Sequence, residues 1–222
     1  MTVADVARRL PRIAALRDLC RALAMLDAIL SPEWESRYHS FDAAWGEGEE
    51  LASMRNGSGD EYAILFSAHG ACIRGLDHEA PMSPYANDGE PWPGVVDAVP
   101  EVFRHFVEEP AFTDEEGVPV VTAFLWRGSG DERWQHGEVA FPSGYDDPDG
   151  AGHLFRLLVD PSPVAFQRFA EDYYEVPVDL ARVSEVYALR PLDQELVSAL
   201  NADITVAELE RDIREIGYPR LR

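Results

Sequence analysis

EELASMR (49–55), NGSGD (56–60), EYAILFS (61–67), AHG (68–70) and ACIRGLD (71–77) form the stretch that decides the fold. Within it, apolar and β-branched residues recur with a period near two, and the links between runs are short and rich in glycine. Tight links join antiparallel neighbours, so residues 49–55, 61–67 and 71–77 are expected as three consecutive strands. A further pair is expected over 118–127 and 133–141, joined by Gly128-Ser-Gly-Asp131. The tetrapeptide Gly-Ser-Gly-Asp thus occurs twice, at 57–60 and 128–131. A glycine-rich loop can cradle phosphate. Neither copy leads into a helix, however, and both fall where a hairpin must reverse, so both read as turns in which glycine supplies positive φ.

Outward from this centre the period changes to that of a helix. Leu16, Leu19, Leu23, Leu26 and Leu30 follow a 3-4-3-4 spacing, one stripe of a helix that Ser31-Pro32 ends. The stripe lasts about two heptads, short for a coiled coil. Packing inside the chain is the first reading of it, and a homodimer seam the second. Pro11 separates a short leading helix. Residues 99–109 look helical, as do 151–159, 163–174, 178–189, 192–200 and 206–216. Thr205 and Glu208 form a capping box for the last helix, and Gly217 stops it. The chain therefore reads as α+β: a central antiparallel sheet of about five to six strands, an N-terminal helical segment (1–31), a sheet-rich core (32–147) and a mostly helical C-terminal part (148–222). No low-complexity linker divides it, so one domain, 1–222, is expected.

Charge bounds the function. The 222 residues hold 41 acidic groups and 19 basic ones, a formal charge of −22, and every basic residue is arginine. Nucleic acid and anionic membranes would be repelled by this surface, so neither is expected as a partner. A basic protein partner fits. Lysine-dependent chemistry, such as Schiff bases or a phosphate-loop lysine, is excluded outright. Residues 1–30 run against the trend, with five arginines to three aspartates, a balance of +2 that leaves −24 on the remainder. Cys20 and Cys72 suit a reducing, cytoplasmic setting. No signal-peptide core and no apolar run of about 20 residues is present.

Residues 78–98 do not fit either period. Four prolines fall in about twenty residues, and loops beyond ~12–15 residues are often binding elements. Trp92, between Pro91 and Pro93, and Tyr85 are candidate aromatic anchors for a partner, with Met82, Asp88 and Glu90 beside them. Folding back to plug the domain's own core is the competing use of the two aromatics.

The second candidate site is Asp77, His78 and Glu79 with His69 and Cys72 nearby. On a strand, Asp77 and Glu79 would point the same way, about 6.6 Å apart. That suits two ligands of one metal or an acid–base pair, with an imidazole from His105, His136 or His153. Asp146-Asp147-Pro-Asp149-Gly150 looks like part of a calcium loop but lacks the closing glutamate, so a helix-capping loop is expected. The common catalytic motifs are absent, and no cofactor and no catalytic residue is expected.

The stretches Met54–Asp60, Asp77–Tyr85 and Phe169–Pro177 resemble a family of acidic bacterial proteins, common in high-GC genomes, for which no activity is established. The resemblance spans most of the chain and implies a bacterial cytoplasmic protein, in agreement with arginine replacing lysine throughout. In general style, though not in motif, toxin-neutralising immunity proteins are similar. The functional expectation is a non-catalytic acidic protein-binding module, immunity-type or regulatory. A metal-assisted hydrolase on Asp77, His78 and Glu79 is the first alternative, and a nucleic-acid mimic the second.

Overall fold

In the computed structural model, which describes residues 1–220, the fold is α+β. Helices α1 (Val3–Arg9) and α2 (Ile13–Leu30) lead, with the break at Pro11. The sheet follows: β1 (His39–Gly46), β2 (Glu49–Arg55), β3 (Glu61–Ser67), β4 (Gly70–Leu76), β5 (Ala123–Gly128) and β6 (Gln135–His136), in the spatial order β1-β2-β3-β4-β5-β6. Between β4 and β5 lies α3 (Arg104–Val107). Helices α4 (Ala151–Leu154), α5 (Arg156–Val159), α6 (Pro163–Tyr174), α7 (Leu180–Tyr187), α8 (Gln194–Leu200) and α9 (Glu210–Ile216) complete the chain. No helix among the described residues is long and apolar enough to cross a membrane.

Strands β2 and β3 sit where their periodicity places them, β4 starts and ends one residue earlier than the expected 71–77, and β1 is a further strand beyond the three expected there. The β5–β6 hairpin is shorter than expected. Pro119 carries no N–H for a ladder. Beyond His136 the chain leaves the sheet to pack against residues 92–95, where the carbonyl of Ala140 accepts the Trp92 indole N–H at 3.0 Å. Helix over 99–109 shrinks to one turn of 3-10 helix and α3, bracketed by Pro100 and Pro110. Thr205 and Glu208 form the reciprocal box (Thr205 N to Glu208 Oε2, 2.8 Å), but the turn after it is irregular, and regular α-helix starts at Glu210.

The chain gathers into two compact units, residues 1–13 with 53–159, and residues 14–52 with 160–222. In the first unit, Tyr62–Phe66 of β3 and all seven residues of β4 are buried, the unbroken apolar run of strands covered on both faces. Gly75 leaves room for Phe155, whose ring a Cβ there would meet at 2.7 Å. The one charge inside this layer, Arg74, donates to Glu61 Oε1 at 2.6 Å and to the Val120 carbonyl and lies over the Phe112 ring. Asp149, also fully buried, accepts from the backbone N–H groups of Val3 (2.7 Å) and Ala151 (3.2 Å), fixing the start of α1 against the start of α4. The segment that looks like a calcium loop is thus a capping loop, and Asp147 likewise accepts from Gly152 and His153.

Burial pushes the Asp149 carboxyl up to about 6, against the pull of the Val3 and Ala151 N–H groups. An acid whose pKa is higher folded than unfolded binds its proton preferentially in the folded state. Its contribution to stability therefore rises as pH falls through the window from 6 toward 4, and is lost above it. Relative to Asp149→Asn, the wild type is expected to gain about 2–3 kcal/mol between about pH 7 and about pH 4. Urea unfolding of both proteins across that range checks this; a difference that does not change with pH would contradict it.

In the second unit, Leu16, Leu19, Leu23 and Leu26 are buried, and Leu30 is half-buried. The stripe is consumed in the protein's own core, so the homodimer seam through these leucines is corrected: no apolar face is left on α2 to form it. Around Ala22–Ile29 burial extends over every face of α2 and takes in Asp27. That carboxylate accepts from the backbone N of His39 at 2.6 Å and lies 2.9 Å from its Nδ1, tying α2 to β1.

Candidate functional site

The β3–β4 hairpin builds the site. Its register pairs Glu61 with Leu76, so the residues just outside the ladder, Asp60 and Asp77, emerge side by side at the open end. The turn 56–60 holds Asp60 in place: Asn56 accepts from the N–H groups of Ser58 and Asp60 and donates to Asp60 Oδ2 at 2.7 Å. Gly57 and Gly59 supply the positive φ that this turn needs. Beyond β4, the backbone N of Asp77 donates to Thr122 Oγ1 (3.2 Å), and Asp77 Oδ1 accepts from the Glu79 N–H at 3.1 Å, closing a tight turn. His78 turns back onto Asp60, with its backbone N and ring Nδ1 3.1 and 2.7 Å from Asp60 Oδ1. From the first turn of α4, His153 brings Nε2 to 3.6 Å from Asp60 Oδ2. One ligand-type atom from each of Asp60, Asp77 and His78 falls within 4.8 Å of the others.

The electrostatics divide the two carboxylates. Burial works to raise the Asp60 pKa, but hydrogen bonds from His78 and Asn56 outweigh it and hold the group below its ordinary value. Asp77 goes the other way: burial raises it, and the neighbouring Asp60 charge adds to the effect. His78 is raised, first by its hydrogen bond to Asp60 and then by the surrounding carboxylates. One ionised acid, one acid reluctant to ionise and one imidazole held by a carboxylate make a centre able to relay a proton, or to take a divalent cation in place of the protons.

The sequence placed Asp77 and His78 together, and they are together. Glu79 is corrected: its side chain is exposed and lies outside the Asp60–Asp77–His78 cluster, to which it gives a backbone N–H and a distant charge, because β4 ends at Leu76 and the two-residue strand spacing does not extend to 79. Asp60 takes its place. The signal for it lay in the hairpin itself, since strands ending at 61 and 76 make 60 and 77 neighbours. Of the three histidines considered, His153 arrives; His105 lies on α3 and His136 on β6.

Loop 78–98 is internally hydrogen-bonded. Ser83 Oγ accepts from Tyr85 N to start a 3-10 turn at Pro84–Ala86, Gly89 N closes back to the Pro84 carbonyl, and Asn87 Nδ2 donates to the Glu90 carbonyl. Met82 N donates to the Pro148 carbonyl at 3.1 Å. Met82 itself is fully buried, so it leaves the partner-binding set and joins the core. Trp92 is half-buried with its indole N–H spent on Ala140. Tyr85 stands out instead, 70% exposed, with Asp88 and Glu90 exposed beside it. Segment 137–148, to which the loop is laced, presents a second exposed aromatic, Tyr145, followed by Asp146 and Asp147.

No protein-family model matches the chain, and neither a curated protein nor a solved structure matches it significantly.

Proposed function

We propose that this protein is a non-catalytic acidic binding module that recognises a basic protein partner, in the manner of an immunity or regulatory protein. The observation that carries the reading is Tyr85, a large aromatic left exposed on a loop whose backbone is otherwise hydrogen-bonded down, amid uncompensated carboxylates. A tyrosine fixed in this way gives contact area at low entropic cost and presents a ring face to arginine or lysine. Asp88 and Glu90, exposed on the same loop, form the charged surround that would speed encounter with a cationic surface. Bacterial origin, cytoplasmic location and kinship with acidic proteins of high-GC genomes belong to the same proposal.

The test is co-purification from the native host followed by affinity measurement on the isolated pair. Tyr85→Ala is expected to weaken binding by about 30-fold or more, an anchor's share of about 2 kcal/mol. Asp88→Asn with Glu90→Gln is expected to slow association and flatten its salt dependence. A partner bound equally well by all three proteins sinks the proposal.

A second reading, a metal-assisted hydrolase, is favoured by the convergence of Asp60, Asp77 and His78. Here a carboxylate-held imidazole and two carboxylates would ligate a divalent cation that activates water. Protein purified without chelator or affinity tag is then expected to carry about one equivalent of metal, lost in Asp77→Asn. Metal-free wild type that takes up none on dialysis against zinc or manganese rules this reading out.

A further inference from the structure

Against the acidic character of the whole, one cleft has the opposite sign. Acidic residues outnumber arginines 20 to 9 in the unit formed by residues 1–13 and 53–159. In a cleft of about 630 Å³ between α1 and the β5–β6 hairpin the ratio inverts, with Arg8, Arg127 and Arg133 against Glu132 alone. The basic N-terminal segment thus has a definite place. Val3, Val6 and Leu10 of that segment are buried, and Arg8 on the same helix faces the cleft. The Trp134 indole donates to the Pro11 carbonyl at 2.8 Å, fixing the far end of α1 to the hairpin.

We propose that this cleft binds a compact phosphorylated small molecule, an inference that goes beyond the partner-binding reading and does not depend on it. Three features point to that class. First, two of the three guanidinium charges have no carboxylate partner among the described residues. Arg127 Nε donates to a neutral group, the Asp131 carbonyl, at 3.0 Å, and Arg133 is exposed, without hydrogen bond or ion pair among the described residues. Arg8 alone has a carboxylate partner, Asp5, in an exposed pair of little strength. Second, His136 directs Nδ1 to the Gly137 carbonyl at 2.7 Å, which leaves Nε2 as a further polar group lining the cleft. Planar guanidinium forks match phosphoryl oxygens in pairs. Third, size and surroundings select a small ligand. The volume lies within the ~300–1,000 Å³ of ordinary ligand pockets. An extended polyanion would have to run out over the acidic surface around it and be repelled there.

The second Gly-Ser-Gly-Asp turn borders this cleft but is not itself a phosphate cradle. Three of its four N–H groups are already spent: Ser129 on the His69 carbonyl, Asp131 on the Gly128 carbonyl, and Gly128 on Asp131 Oδ2. The turn's role is to place Arg127 on one side and Arg133 on the other.

Titration calorimetry of the full chain with pyrophosphate and with ADP tests the proposal, with citrate and a single-stranded oligonucleotide as comparison arms. Saturable binding at one site is expected for pyrophosphate and ADP. Arg133→Gln, at an exposed position that the fold does not use, is expected to weaken it about tenfold, as loss of one charge-assisted hydrogen bond predicts. Adding Arg127→Gln is expected to weaken it further, while Arg211→Gln on α9 leaves it unchanged. Absence of saturation at millimolar pyrophosphate and ADP, or equal binding by the Arg127→Gln/Arg133→Gln variant, overturns the site. Citrate binding as tightly as pyrophosphate, or the oligonucleotide binding more tightly than ADP, overturns the ligand class.

Discussion

Asp27→Ala is expected to cost about 3–5 kcal/mol of stability, the range for removing one member of a buried charged or strongly hydrogen-bonded pair. The carboxylate has no exposure, and one of its oxygens serves both the backbone N and the ring Nδ1 of His39, itself 3% exposed. Alanine strips both partners at once and leaves them facing apolar surroundings, each at the penalty of an unmet buried polar group. The pocket is also aromatic: Tyr38, Phe169 and Tyr173 pack ring against ring beside the imidazole. Water has little room to replace the lost acceptor. The other oxygen, Oδ1, is buried in the same region as the hydroxyls of Tyr174 and Tyr187. Burial, followed by the Asp27 charge, raises the pKa of both tyrosines. Asp27→Asn removes that charge while keeping an acceptor for His39, so it is expected to cost clearly less than alanine. Urea unfolding of the three proteins measures the series, and a loss below about 1 kcal/mol for alanine would show that the pair does not anchor α2 to β1.

Gly150→Ala is expected to cost about 2–5 kcal/mol and to displace Asp77. Two penalties combine. The residue sits at φ +68, where a Cβ costs about 1–2 kcal/mol. That Cβ would also lie 2.2 Å from the Cβ of Asp77 and 2.5 Å from its Oδ2, which forces backbone to move at a further cost of about 1–3 kcal/mol. Gly144→Ala separates the two. It has φ +91 but nothing within 4 Å of the added carbon, so it carries the backbone penalty alone. Thermal and urea unfolding of both variants, with the imidazole resonances of His78 and His153 followed by NMR, tests this. Equal stability for the two, or unchanged resonances in Gly150→Ala, would mean that close approach at Gly150 does not position the Asp60–Asp77–His78 cluster.

Much of this arrangement was legible before any coordinates. Strands β2 and β3 match the periodicity residue for residue, and α6 matches from Pro163 to Tyr174, because each element carries its own boundary chemistry: paired glycines, a proline at the first helical position, a break in apolar spacing. Two of the three clustered residues, Asp77 and His78, were among those the sequence singled out. Glu79 misled because it was assigned to a strand that stops at Leu76, and a turn obeys a different geometry. Met82 misled because a methionine in a proline-rich loop carries no local sign of whether it faces in or out.

The sequence alone determined what depends on neighbours along the chain and on totals: the α+β class, the hairpin at 49–77, the excess of negative charge, and the basic N-terminal segment. Tertiary structure decided what depends on residues far apart in sequence. It brought His153 to Asp60, closed Gly150 against Asp77, buried the leucine stripe of α2, and set Arg8 beside Arg127 and Arg133. The physical reason is that periodicity and capping act over a few residues. Which distant surfaces meet is settled by the packing of the whole core, and that information is spread over every buried side chain.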